Sequence, residues 1–221
     1  MKMKKAYKWT IALVLLGFVL AGIFLTIAPD EIPAHYNFKG EVDRWGSKYE
    51  FLIMPVFNVF FGLFMALVAR FEGKHGRDMN ERIVAVLNNL ILLMFNGIWI
   101  FFMWKAVDVR NPGGSLGDLF TKGISMLLMA SFVPMGNILP KVQRNSIFGL
   151  RTQWSMANDH CWQQSQRVGG YIMVATGSLG VILMAILPAQ TGGFVMLGLI
   201  AAMTIGCVWA SYRIYMRSHV Q

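Results

Sequence analysis

Polar and apolar residues along the 221-residue chain fall into long blocks, not short alternations. Apolar runs occupy about 9–27, 51–69, 83–104, 119–139, 170–187 and 193–215. Each approaches or exceeds the ~18–20 residues a helix needs to cross a bilayer. The pattern predicts an all-α polytopic integral membrane protein with six transmembrane helices. The first run follows Lys2, Lys4, Lys5 and Lys8, as a signal peptide would. It outlasts the ~7–15 apolar residues of a signal peptide and ends in TIAPDE, with no small-residue cleavage site, so a retained helix is expected.

Composition agrees. The chain is 56% hydrophobic and 14% charged, with mean hydropathy +0.51, which excludes a soluble domain of this length. Six spans put both termini on one side. If that side is the cytoplasm, the inside segments hold fourteen of the twenty Lys and Arg residues. The positive-inside rule therefore predicts cytoplasmic termini in a multi-pass protein of the cell membrane. Basic residues flanking spans account for the net charge of +9 with the lipid bilayer as partner, and no nucleic acid is needed. Cys161 and Cys207 are not expected to pair. Asn58, Asn88, Asn89 and Asn96 suit buried interhelical amides. Gly62 with Ala66, and Ala202 with Gly206 and Ala210, form small-residue ladders for helix contact.

Two polar segments stand out. The first, PDEIPAHYNFKGEVDRWGSK, is punctuated by Pro29, Pro33, Gly40 and Gly46, and two short strands can pair across 38–41. His35 with Asp30, Glu31, Glu41 and Asp43 offers ligand types for a divalent cation, although no spacing matches a metal motif such as HExxH. In the other reading His35 bonds the loop backbone and the acids are solvated. Tyr36, Phe38 and Trp45 suit either anchoring at lipid headgroups or docking of a peptide.

The second segment, 139–170, is too long and too rich in hydrogen-bonding and aromatic groups for a simple connector. Ser155 or Asn158 can cap a helix that places Trp162 and Gln166 on one face. Arg151 presents a planar fork that fixes the loop or meets a partner. Lys141 and Arg144 suit anionic headgroups. No nucleophile elbow, HExxH or phosphate loop is present, so an enzyme is not expected and nothing asks for a cofactor.

RNSIFGLRTQWSM, followed by Trp162 and the Gly169–Gly170 pair, resembles the C-terminal signature of the SdpI family. Asn145, Gly149, Arg151, Thr152, Trp154, Ser155, Trp162 and Gly169 match it. Gln166 stands where a His is usual, and Gln153 where a Pro is common. The first polar segment resembles the N-terminal domain of unknown function often found in the same family, through Pro29, Asp30, Ile32, Pro33, His35, Asn37, Gly40, Asp43, Gly46 and Lys48. The resemblance implies a membrane immunity protein that protects the cell from a secreted antimicrobial peptide or protein toxin. Some members also hold a winged-helix repressor at the membrane. It further implies an extracytoplasmic set, Pro33, His35, Asn37, Gly40 and Asp43, that faces toxin or structures the loop. A cytoplasmic set comprises Asn145, Gly149, Arg151, Thr152, Trp154 and Trp162. The units expected are 1–82, 83–138 and 139–221. The alternative is a small transporter or membrane-embedded enzyme that uses His35 and the outer acids.

The charge asymmetry makes a direct prediction. Reporter fusions after Lys48 and Arg110 should read as outside, and those after Lys74, Arg144 and Gln221 as inside. A cytoplasmic signal from the Lys48 fusion would reverse the topology.

Overall fold

The computed structural model describes residues 3–36, 42–107 and 115–219. Six helices are long and apolar enough to cross a membrane: α1 (Met3–Ile27), α2 (Ile53–Lys74), α3 (Asp78–Val107), α4 (Ser115–Ile138), α5 (Asp159–Ile186) and α6 (Ala189–His219). Large side chains such as Phe60, Phe64, Ile186 and Phe194 stand exposed along them, as lipid-facing positions do. The chain is a multi-pass membrane protein. The start of α1 and the end of α6 lie at one end of the bundle. Tyr7 donates to Glu81 at the start of α3 (3.1 Å), and Ser218 lies 3.3 Å from Cys161 at the start of α5.

With apolar surface no driving force in lipid, polar and small residues hold the helices together. Asn96 donates to the Leu13 carbonyl of α1 and accepts from Asn58 of α2. Asn88 donates to the Gly62 carbonyl, and Asn89 to that of Ala6. All four asparagines are therefore interhelical, and α3, which carries three of them, is wedged between α1 and α2. Gly62 belongs to the same seam. A Cβ there would stand 3.3 Å from Val14 and 3.4 Å from Leu92.

The expected ladder on α6 does not behave this way. Ala202 is exposed, and a Cβ on Gly206 would come no nearer than 3.8 Å to any neighbour, Ile172. The close approach lies between α4 and α5. A Cβ on Gly170 would meet the Gly136 carbonyl oxygen at 2.6 Å, and one on Gly177 the Met129 carbonyl at 2.8 Å. Small residues at helical spacing mark where backbones are able to touch. Which helix lies opposite decides whether they do.

At the other end of the bundle, β1 (Glu31–Tyr36) and β2 (Val42–Ser47) form an antiparallel hairpin. Pairing is regular from Glu31↔Ser47 to Pro33↔Trp45, then shifts at His35. Proline donates no ladder hydrogen bond, so it is tolerated in such an edge strand. The hairpin is nailed down by Ile32, fully buried among Ala21, Phe24, Ala28, Trp99, Met103 and Ala106. Lys48 closes it with an ion pair to Asp30 at 2.9 Å. Arg44 grips Glu50 through both carboxylate oxygens, at 3.3 and 2.9 Å, which holds the guanidinium pKa above its ordinary value.

The α4–α5 crossing yields a graded test. Gly170→Val must separate two backbones and should lose about 1–3 kcal/mol as an overpacked site does. Gly206→Val should change little. Melting curves of the two variants in one detergent would check this, and equal losses would refute the crossing.

Candidate functional site

Residues 139–158 connect α4 to α5 with almost no regular structure, apart from one 3-10 turn at Leu139–Lys141. A backbone so folded, partly buried against membrane helices, has carbonyls and amides that no helix satisfies. Side chains supply the partners. Asn145, 5% exposed, accepts from the amides of Ile147 and Phe148, both at 2.8 Å, and donates to the carbonyls of Gln143 and Phe148. Asparagine suits this because its side chain copies a peptide group and turns the chain on itself.

Two further amides clamp the segment from opposite sides. Gln166 of α5 accepts from the Leu150 amide (2.8 Å) and donates to the Leu150 carbonyl (2.9 Å). Asn80 of α3 does the same to Gln143, at 2.8 and 3.1 Å. Each amide takes the place of a neighbouring strand. Between the clamps, the Trp162 indole donates to the Val142 carbonyl at 2.7 Å. Gly149 lies against both Gln166 and Trp162 with φ +104°, where a Cβ would be strained and would sit 3.0 Å from the Gln166 oxygen.

The far half of the segment is fastened to α6. Thr152 shares a 2.8 Å hydrogen bond with Ser211, and Ser155, fully buried, accepts from the Thr152 amide and donates to the Leu150 carbonyl. Trp154 meets Tyr212 edge to face at 5.2 Å. Asn158 caps α5 by accepting from the Cys161 amide. The helix it starts is not a short one, because it runs on through the membrane to Ile186.

Asn80 also reaches back. Its amide nitrogen donates to Glu72 at 2.8 Å, and Glu72, fully buried at the end of α2, holds Arg77 at 2.7 and 2.9 Å. The carboxylate raises the Arg77 pKa above the usual arginine value. The α2–α3 turn and the 139–158 segment are thus one hydrogen-bonded unit. Beneath Gly149 lies an apolar cavity of about 420 Å³, bordered by Met65, Ile91, Met135, Met203 and Cys207.

Of the residues singled out from sequence, Asn145, Gly149, Thr152 and Trp162 meet in this network, with Trp154 at its edge. Arg151 does not. It is exposed, with no hydrogen bond or ion pair among the described residues, so the fork does not fix the loop. The fixing is done by neutral groups, which satisfy a buried peptide without the desolvation cost of a charge. Glu72, Asn80, Gln166 and Ser211 were missed as site residues. The signal was there for Asn80 and Glu72, polar residues just beyond the apolar blocks that end at 69 and begin at 83.

At the hairpin, Pro33 is buried, while His35 and Asp43 form an exposed pair at 2.6 Å. His35 therefore bonds a carboxylate instead of the loop backbone. Asn37 and Gly40 lie outside the described residues, as does Glu41. Among the described residues no three His, Cys, Asp or Glu side chains gather to hold a metal ion. Asp30 is turned to Lys48, and of the cation candidates His35, Asp30, Glu31 and Asp43 only His35 and Asp43 are joined by a hydrogen bond.

Six membrane helices, a two-stranded hairpin at one end and an amide-clamped segment at the other define a multi-pass membrane protein. Its family resemblance is shown at both motifs: residues 141–211 match the SdpI/YfhL protein family, and residues 12–59 match a domain of unknown function, DUF1648. The chain is also similar to the Immunity protein SdpI of Bacillus subtilis (strain 168), with 23% identity over 210 residues, 93% of this chain and 94% of that one. No solved structure matches the chain.

The clamps predict an order of severity. Gln166→Leu strands the amide of Leu150, whose carbonyl keeps the Ser155 hydroxyl, and should cost about 1–3 kcal/mol for the one group left without a partner. Arg151→Ala and Arg151→Lys should both stay within about 0.5 kcal/mol of the parent, as exposed substitutions do. Denaturation in mixed micelles, with limited proteolysis across 143–155, would measure both. A destabilised Arg151→Lys would restore the fork.

Proposed function

We propose that this protein is a membrane immunity protein, one that protects its cell from a secreted antimicrobial peptide or protein toxin. The observation that carries the reading is the end-to-end similarity to a protein named for immunity, across 93% of the chain, with matches to both characteristic regions. On the topology read from the charges, the hairpin faces outward, where a secreted toxin arrives. Its exposed Trp45 and the His35–Asp43 pair are the surface we assign to that encounter.

The same topology puts Arg151 and Trp154 on the cytoplasmic side. An exposed, unengaged guanidinium beside an aromatic pair is available to another protein, and a winged-helix repressor held at the membrane is the partner we infer there. The transporter or enzyme alternative is the poorer fit, since among the described residues Asp30, Asp43 and Glu50 are engaged with Lys48, His35 and Arg44 instead of converging on a substrate.

Expression in a toxin-sensitive host tests the proposal. Survival against the cognate secreted toxin should rise, with the toxin recovered intact. Arg151→Ala should leave that protection unchanged at matched membrane abundance while abolishing capture of the repressor. Cleaved or chemically altered toxin after incubation with the purified protein would indicate an enzyme.

A further inference from the structure

We propose that the basic cleft between the α2–α3 turn and the start of α5 binds the phosphate group of an anionic membrane lipid. The cleft holds about 610 Å³ and is bordered by Arg77, Lys141, Arg144, Asp159, Trp162 and Arg167. Four cations and one acid give it a positive interior. Its depth matches a headgroup, since Lys141 ends the fourth span and Asp159 begins the fifth.

The cations differ in how far they are committed. Arg77 is neutralised by buried Glu72 through two hydrogen bonds. Arg144 spends one N–H on Asp159, at 3.0 Å. Arg167 spends its Nε on the Tyr171 hydroxyl, at 3.2 Å, and leaves both terminal nitrogens free for an oxyanion. Lys141 is exposed and has no side-chain partner among the described residues. Three cations with spare donors around a membrane-level hollow match a phosphodiester, which accepts through several oxygens at once. Basic pockets between helices at the membrane surface take anionic headgroups on the same grounds. The frame of the cleft is the clamped segment itself, 140–144, so a bound headgroup would rest on the backbone that Asn80 and Trp162 hold. The inference does not depend on the immunity reading.

The full-length protein in a non-ionic maltoside detergent would be titrated with dioctanoyl phosphatidylglycerol, dioctanoyl phosphatidylcholine and inorganic phosphate, with binding read by thermophoresis. Phosphatidylglycerol should bind at least tenfold more tightly than either alternative. Lys141→Ala, at an exposed position that leaves the fold intact, should weaken it roughly fivefold, the contribution of one surface cation. Lys74→Ala, basic and at the same end of the bundle but outside the cleft, should not weaken it. Equal binding of phosphatidylcholine would overturn the anionic preference, and equal binding of inorganic phosphate would overturn the lipid. Equal losses in the Lys141 and Lys74 variants, or none in Lys141→Ala, would overturn the site.

Discussion

Irregular backbone at the edge of a membrane must have its peptide groups satisfied by the protein, and the rest of this structure follows from how that is done. Beyond its one 3-10 turn, segment 139–158 has neither helix nor sheet to absorb its amides and carbonyls. Side-chain amides stand in for the missing strands: Asn145 within the segment, Asn80 from α3 and Gln166 from α5. A primary amide is the right group because it offers a donor and an acceptor in the geometry of a peptide and stays neutral. A carboxylate or ammonium would have to shed its water to make half as many complementary contacts.

That solution constrains the helices that carry the clamps. Gln166 reaches Leu150 only if α5 enters the membrane at a fixed height, and the Gly136–Gly170 contact fixes the height at which α5 meets α4. Asn80 reaches Gln143 only if α3 is held against α2, which the pair of buried Glu72 with half-buried Arg77 and the membrane asparagines accomplish. A buried carboxylate costs desolvation unless it is well partnered. Glu72 receives Asn80 as well as Arg77, so the charge is part of a satisfied cluster, and one oxygen of Glu72 orients the amide that holds the loop.

Much of this was legible in the sequence. Block hydropathy located all six spans because a bilayer imposes a minimum apolar length that few other structures need. The four membrane asparagines were readable as glue because an amide in hydrocarbon has nowhere else to turn. The hairpin followed from Pro, Gly and polar punctuation. The network around Gly149 was only half visible. Gln166 looked like a departure from a family pattern, and its true role needs two backbone partners sixteen residues away, a distance no local pattern encodes. Arg151 drew attention as a charge in a motif, but type alone cannot distinguish a charge that holds a loop from one presented by it. The small-residue ladder of α6 failed for a related reason: spacing describes one helix, whereas contact is a property of two.

The division of labour at this end of the bundle separates the fold from its surface chemistry. Neutral amides, hydroxyls and an indole hold the 139–158 backbone, and of the cations nearby only Arg77 is fully committed to that work. Lys141, Arg151 and most of the hydrogen-bonding capacity of Arg144 and Arg167 are left over. Leftover charge clustered on rigid backbone is a different thing from charge on a flexible tail. The backbone that carries it is fixed in advance, so only side-chain order remains to be lost when an anion or an acidic surface arrives. The amide network is therefore what makes the leftover cations useful as recognition groups, although Lys141 and Arg151 take no part in building it.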